Sequence, residues 1–351
     1  MTMRANVVRL YGFLIALNVG AWGLALWVFW SRPVLLGTAL LAYTFGLRHA
    51  VDADHISAID NVTRKLMQER KRPLAVGLFF SLGHSTVVVA LTLAVATGAA
   101  VVKSRLPALQ HAGAVVGTSV SAGFLLLIAV INLVVLFDIF GAFARARRGE
   151  GYDDAGLDAM LNRRGLMGRF FAPLLRIVDK SWKMYPIGVL FGLGFDTATE
   201  VALLGIAAVE AGKGLSVADI LLFPLLFTAG MSLIDTTDGI LMLGAYGWAF
   251  VKPMRKLYYN AVITLVSILV ALVVGGIEAA GVVADQFGLD GGVWDAVRIV
   301  NGNFGVLGFI IVGLFLASWL VSAAGYKILG YDKAEPEANA GRARSSLSTA
   351  I

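Results

Sequence analysis

The strongest constraint on this chain is its series of long apolar runs, some of which carry no charge at all. Residues 34–47, for example, contain no charged side chain. Of the 351 residues, 58% are hydrophobic and only 15% are charged, which is too apolar for a soluble protein of this length. Runs of this kind cross a bilayer as α-helices, and the alternating ten-residue segments of a membrane β-barrel are absent. We therefore expect an all-α polytopic membrane protein.

Eight runs are long enough to span a membrane, and the basic residues between them are distributed unevenly. Of the 29 Lys and Arg residues, 23 lie in the N-terminal segment, the alternate loops and the C-terminal tail, and only five lie in the other loops. Because basic loops stay on the cytoplasmic side, both termini are expected in the cytoplasm. The expected spans lie near 8–30, 34–60, 73–101, 113–143, 185–211, 218–250, 258–283 and 300–329.

This pattern also predicts the domain organisation. Residues 1–330 are expected to form a single transmembrane domain, with a cytoplasmic loop at 144–184. Residues 331–351 are polar and rich in small side chains, so we expect a disordered cytoplasmic tail.

Composition excludes several other classes of site and partner. The chain has no cysteine, which excludes disulfides, zinc–thiolate sites and iron–sulfur clusters. Its net charge of +6 does not indicate a nucleic-acid partner, because the basic residues collect in the loops. A phosphate-binding Gly-x4-Gly-Lys-Ser/Thr motif is absent from the sequence. We therefore expect no resident cofactor, and nothing in the sequence indicates an ATPase subunit.

One short stretch places five ionisable side chains inside the second expected span: Arg48, His49, Asp52, Asp54 and His55. Ionisable residues in a transmembrane segment usually line a substrate path, and imidazole together with carboxylate suits borderline divalent metals. On a straight helix His49, Asp52 and His55 share one face, whereas Asp54 falls on the other side. Either Asp54 has a different role, or the helix is broken here so that both faces reach one ion.

Three further spans carry polar residues at comparable depth. A single buried histidine is more often a packing residue than a ligand, but the two histidines of the second span make a third one a ligand candidate. Two carboxylates on one helical face inside a membrane repel each other unless a cation or a proton lies between them. Pairing with Arg48, the one basic residue expected at this depth, would satisfy only one of them. The histidine is His84 of span 3. The carboxylate pairs are Asp196 with Glu200 in span 5 and Asp235 with Asp238 in span 6.

A short internal match indicates an inverted repeat. Residues 45–47 and 191–193 both read Phe-Gly-Leu, and this register sets Asp54 against Glu200. Span 3 would follow span 2 through a cytoplasmic loop, and span 6 would follow span 5 through an external one. Many secondary transporters are built from such repeats, with the substrate site at their interface. A chance match of three residues is the alternative.

Four motifs carry a resemblance to a known family. They lie at 48–56, 82–86, 193–200 and 230–239, and the first, with its His-x4-Asp-His core, is highly specific. At these residues the chain closely resembles the nickel/cobalt transporter family (NiCoT), and within it the high-affinity nickel permeases. The resemblance covers nearly the whole chain. It implies eight spans with cytoplasmic termini, and uptake of Ni²⁺, often with Co²⁺, across the bacterial cytoplasmic membrane.

The resemblance also implies which residues govern the choice of metal. Asn18 and Val51 are implied to bear on the preference between nickel and cobalt, with Val51 favouring nickel. Taken by itself, Asn18 favours the interpretation of an amide that packs one helix on another beside small residues over a role at the metal site.

Together the motifs predict a secondary permease, not an enzyme, with Ni²⁺ or Co²⁺ as the transported substrate. The ion is expected to bind His49, His55 and Asp54, with Asp52 or His84 contributing. The carboxylates of spans 5 and 6 would supply further stages of the path, orient the imidazoles or accept protons. Those carboxylates are Asp196, Glu200, Asp235 and Asp238.

Two alternatives to a permease stay open from the residues alone. A membrane metalloenzyme is one, although the His-Glu-x-x-His motif of an intramembrane zinc protease is absent and four histidines are too few for a di-iron desaturase. A passive channel for divalent cations is the other, because acidic rings in such channels look similar in sequence.

Overall fold

The computed structural model describes residues 3–68, 71–98, 100–147, 178–194, 198–249 and 253–328. All regular secondary structure within these ranges is helical. A single 3₁₀ turn, Ser181–Lys183, precedes the sixth helix. In chain order the α-helices are α1 (Met3–Phe29), α2 (Pro33–His49), α3 (Ala53–Gln68), α4 (Val76–Ala96), α5 (Ala100–Arg147), α6 (Met184–Gly192), α7 (Ala198–Gly212), α8 (Val217–Ile220), α9 (Leu222–Ala249), α10 (Pro253–Phe287), α11 (Val293–Asn301) and α12 (Phe304–Ile328).

The described helices are those of a multi-pass membrane protein. Five segments are long and apolar enough to cross a bilayer, and the bent pairs α2 with α3 and α11 with α12 raise the number to seven if each pair is one span. The remaining expected span, 185–211, coincides with α6 and α7, which lie on either side of the undescribed residues 195–197. Residues 148–177 of the expected loop and the whole expected tail lie outside the described residues. The cytoplasmic placement of the termini stays a prediction.

The second expected span is broken in the middle of its charged stretch. α2 ends at His49, α3 begins at Ala53, and the two axes differ by 51°. The connection is a tight turn in which the amide of Val51 donates to the carbonyl of Arg48. The carbonyl of Val51 lies against Gly308 of α12, where a Cβ would collide with it. The break therefore depends on a position in α12 that has no side chain.

Helices around this break approach one another through glycine. A Cβ at Gly46 of α2 would collide with the carbonyl of Phe227 in α9, and a Cβ at Gly188 of α6 would collide with the carbonyl of Phe80 in α4. Small residues at helix contacts let backbones approach closely inside membranes. The α2–α9 and α4–α6 interfaces are therefore set by backbone contact.

Each of these two interfaces also has a second glycine contact, in which the helix that supplied the carbonyl now supplies the glycine. Gly230 of α9 faces the carbonyl of Tyr43 in α2, and Gly83 of α4 faces the carbonyl of Tyr185 in α6. The contact residues of α2 and of α6 therefore both follow the pattern Tyr-x-x-Gly. Those of α4 and of α9 both follow the pattern Phe-x-x-Gly. The two interfaces are built alike.

Arg64 corrects one expectation about the loop after span 2. It was expected in that loop, but it lies within α3 and is 0% exposed. The expectation that Arg48 is the one basic residue among the interior carboxylates was therefore wrong. Ser57, Asp60, Asn61 and Arg64 recur at the spacing of a single helical face, a pattern that a search for apolar runs does not detect.

Candidate metal site

Three imidazoles from separate helices meet in the interior of the described structure. His49 ends α2, His55 lies in the first turn of α3, and His84 lies in the middle of α4. Each is at most 2% exposed, and one ligand nitrogen from each lies within 4.8 Å of the others. The break between α2 and α3 brings the ring centres of His49 and His55 to 4.6 Å. We refer to these three residues as the histidine cluster.

Asp52 orients the ring of His49. Its Oδ2 lies 2.8 Å from His49 Nδ1, and because an ionised carboxylate only accepts hydrogen bonds, Nδ1 is the nitrogen that carries the proton. The lone pair of the neutral ring is then on Nε2, which lies 2.9 Å from His84 Nε2. Asp52, expected as an alternative ligand, thus contacts the nitrogen that faces away from the cluster.

Asp235 orients His55 in the same way. Its Oδ2 lies 3.3 Å from His55 Nδ1, and both side chains are fully buried. The Nε2 atom of His55 is buried and has no hydrogen-bond partner within the described part of the chain. A carboxylate on one imidazole nitrogen and a metal on the other is the usual arrangement at protein metal sites. The cluster therefore presents two imidazoles prepared for an ion.

Glu200 adds a carboxylate from α7. Its Oε1 lies 2.8 Å from His84 Nε2 and 4.0 Å from His49 Nε2. Two ligands at right angles, each about 2.1 Å from one ion, are separated by about 3.0 Å, which is close to the distance between the Nε2 atoms of His49 and His84. One divalent ion can therefore contact His49, His84 and Glu200 together, with His55 adjacent.

Other predicted site residues are not members of the histidine cluster, or they lie outside the described residues. Asp54 lines a cavity with residues of α5, α10, α11 and α12. Arg48 lies beside Gly305 of α12. Asp238 lies in α9, three residues after Asp235, and its Oδ2 is buried without a hydrogen-bond partner in the described ranges. Asp196 lies among the residues that the structure does not describe.

Hydrogen bonds of Asn18 connect three helices. Its Nδ2 donates to the carbonyls of Leu14 at 2.8 Å and Ala229 of α9 at 3.2 Å, and its Oδ1 accepts from the hydroxyl of Tyr43 in α2 at 3.0 Å. These bonds are what a helix-packing amide makes. A role in the choice of metal stays a prediction for Asn18, as it does for Val51.

The sequence did not predict a second buried polar group, centred on Arg64. Its guanidinium donates to Thr264 Oγ1 of α10 at 2.9 Å and to Asn61 Oδ1 at 3.1 Å. The same Asn61 oxygen accepts from Asn132 Nδ2 of α5 at 2.6 Å. These bonds join α3 to α5 and α10. The helical spacing of the polar residues in α3 is the one feature of the sequence that indicates them.

A family model described as high-affinity nickel-transport protein, NicO, matches residues 35–324, a range that contains the whole histidine cluster. The chain belongs to the NicO family. This confirms the resemblance to nickel/cobalt transporters that the four motifs carry. NicO proteins are transporters, so the chain is not an enzyme, and the metalloenzyme alternative was wrong.

Relatives within the NicO family match almost end to end. A high-affinity nickel transport protein of Cupriavidus necator is 56% identical over 335 residues, which is 95% of each chain. Nickel transporter NixA of Staphylococcus aureus is 47% identical over 297 residues, 85% of this chain and 87% of its own. Cobalt transport protein NhlF of Rhodococcus rhodochrous is 40% identical over 329 residues, 91% of each chain. No solved structure matches this chain.

Proposed function

We propose that this chain takes up Ni²⁺ with high affinity, and Co²⁺ with it, as a secondary permease of the bacterial cytoplasmic membrane. The observation that carries the proposal is the histidine cluster, in which Asp52 and Asp235 lie against the Nδ1 atoms of His49 and His55. The relatives include nickel and cobalt transport proteins, which supports the choice of ions.

The chemistry of the cluster favours borderline metals such as nickel and cobalt over Mg²⁺. Imidazole suits borderline first-row metals, whereas Mg²⁺ prefers oxygen ligands and gives up its waters reluctantly. An arriving ion exchanges water for the Nε2 lone pair of His49, the Nε2 atoms of His55 and His84, and Glu200 Oε1. Asp52 and Asp235 keep the protons on the outward nitrogens and stabilise the rings as they bind a cation.

The membrane potential is sufficient to drive this uptake. Moving two positive charges inward gains about 4–5 kcal/mol per 100 mV. We therefore propose transport without an ATPase subunit, through eight spans with both termini in the cytoplasm.

We further propose an inverted repeat that relates α2 and α4 to α6 and α9. The exchanged glycine contacts support it, because Gly46 on Phe227 corresponds to Gly188 on Phe80. This register differs from the one that the Phe-Gly-Leu match gives, and it sets Asp54 against Asp196 instead of Glu200. The interface of two such units is where secondary transporters bind their substrates.

Radioactive nickel uptake by cells at nanomolar Ni²⁺ tests the proposed function. We expect saturable uptake above vector-only cells, suppressed by a tenfold excess of Co²⁺ and unaffected by a hundredfold excess of Mg²⁺. The physical reason is that Co²⁺ shares the ligand preference of Ni²⁺ and Mg²⁺ does not.

Two outcomes would contradict the proposal. Absence of uptake, with the protein present in the membrane, would exclude a nickel permease. Uptake that rises linearly with nickel, without saturation, would instead favour the passive channel.

Asp235→Asn tests the orientation of His55. The amide lacks the negative charge that stabilises the metal-bound ring, and loss of such a partner costs about 10–100-fold in metal affinity. We expect the half-saturating nickel concentration to rise by that factor, measured from the concentration dependence of uptake. Asp219→Asn in α8, the same change away from the cluster, should match wild type. Equal half-saturation in the Asp235 variant would show that the carboxylate does not act on the ion.

A further inference from the structure

A cavity of about 310 Å³ extends to Asp54 from between α5, α10, α11 and α12. Its volume corresponds to about ten waters at roughly 30 Å³ each, which is enough for a divalent ion that keeps several of its own waters. Asp54 immediately precedes His55 of the histidine cluster in α3. The cavity thus reaches the residue next to the candidate metal site.

The charged residues around this cavity are mostly acidic. Asp54, Glu278 and Asp285 line it together with one basic residue, Arg298. Arg298 is shared among further carboxylates, since its guanidinium lies 2.9 Å from Asp290 and 3.5 Å from both Asp285 and Asp295. A concave surface with an excess of one sign of charge and with apolar walls concentrates counter-ions.

Glu278 is the buried member of this group. It is 4% exposed, and Ser121 Oγ of α5 lies 3.0 Å and 2.9 Å from its two carboxylate oxygens. A hydroxyl donates a hydrogen bond to a carboxylate but leaves its charge in place. Burial of that charge in a transmembrane helix costs free energy, and such residues usually mark an ion path.

We infer that this cavity is the external vestibule for the transported divalent cation, in which Glu278 attracts the ion and Asp54 receives it before His55. The inference rests on the proposed function. The end of α10 and the connection to α11 fall in the loop that the distribution of Lys and Arg predicts to be external. This arrangement gives Asp54 a role that differs from that of the histidine cluster, as its position on the helix permits.

Single cysteines test the vestibule without any need for transport. The natural chain has none, so Val282→Cys, which lines the cavity, can be labelled by membrane-impermeant methanethiosulfonates added outside intact cells. We expect the cationic trimethylammonium reagent to react about tenfold or more faster, relative to its reaction with a free thiol, than the anionic sulfonate reagent. Val283→Cys is the matched control, because Val283 is 41% exposed on the helix surface and does not line the cavity; it should show no such preference.

Glu278→Gln identifies the source of the preference. In the Val282→Cys background it should lower the ratio of cationic to anionic labelling several-fold. In uptake it should raise the half-saturating nickel concentration about three- to tenfold and retain the maximal rate, with a larger effect at low ionic strength. Glu210→Gln is the control, because Glu210 is also buried but lies in α7 and does not line the cavity.

The outcomes separate the vestibule from the nickel assignment. Equal labelling by both reagents, labelling of Val282→Cys only from the cytoplasmic side, or an unchanged ratio in Glu278→Gln would overturn the vestibule. Charge-selective labelling without nickel uptake by the parent chain would leave the vestibule in place and overturn the nickel permease.

Discussion

His49→Ala is expected to reduce nickel uptake at least about 100-fold. His49 is the central residue of the cluster, since its Nε2 lies 2.9 Å from His84 Nε2 and 4.0 Å from Glu200 Oε1. Loss of a partner that merely orients a ligand already costs about 10–100-fold in metal affinity, so loss of the ligand itself should cost more. The measurement is the initial rate of radioactive nickel uptake at nanomolar metal, normalised to the amount of protein in the membrane.

His111→Ala is the matched control for this variant. His111 lies in α5, in the part of the chain where the sequence predicts the external loop between spans 3 and 4, so the same change there should leave uptake within twofold of wild type. Charge-selective labelling of Val282→Cys in the His49→Ala background reports whether the transmembrane domain has still folded. A folded His49→Ala protein that retains more than a tenth of wild-type uptake would show that His49 is not a ligand of the transported ion.

The charged stretch at 48–56 shows how far the sequence could predict the site. The residue types and their spacing were enough to predict that either the helix breaks or Asp54 has a separate role. The structure breaks the helix, since the axes of α2 and α3 differ by 51°. It also places Asp54 on the wall of the cavity and not in the histidine cluster, whereas a separate role for Asp54 stays a prediction. Helical periodicity states which residues share a face, but the turn that ends a helix here depends on Gly308, far away in the chain.

Arg64 shows where prediction from the sequence failed. Its loop placement came from counting charges between apolar runs, a method that treats every arginine as exposed. The structure buries its guanidinium through bonds to Asn61 and to Thr264, which is 200 residues away. The cost of burying a charge depends on such partners, and one sequence does not reveal which distant helix supplies them.

The pairing of imidazoles with carboxylates could be predicted from the sequence only in part. Asp52 is three residues from His49, so helical spacing alone makes their contact plausible. Asp235 reaches His55 from α9, and Glu200 reaches His84 from α7. The sequence identified all of these residues as candidates, but only tertiary packing assigns each carboxylate to its histidine.

Gly46→Ala is expected to prevent most of the protein from folding. The added Cβ would overlap the carbonyl of Phe227, so α2 and α9 must move apart. Overpacking costs about 1–3 kcal/mol where side chains can give way, and the cost should lie at or above this range because a backbone atom opposes the new methyl group. His49 ends α2 three residues later, so the movement also displaces its ring. We expect little folded protein in the membrane, measured by size-exclusion chromatography of the detergent-solubilised chain, and no nickel uptake.

Gly37→Ala separates packing from helix propensity, because it makes the same change in the same helix with no atom of a neighbouring helix within 4 Å of the added Cβ. Alanine favours the helix by about 0.5–1 kcal/mol over glycine, so this variant should fold at least as well as wild type. Gly188→Ala should fail as severely as Gly46→Ala, since its Cβ would overlap the carbonyl of Phe80. If Gly46→Ala folds and transports, the close approach of α2 and α9 is wrong. If Gly46→Ala fails and Gly188→Ala does not, the two interfaces are not equivalent, and the proposed repeat loses its main support.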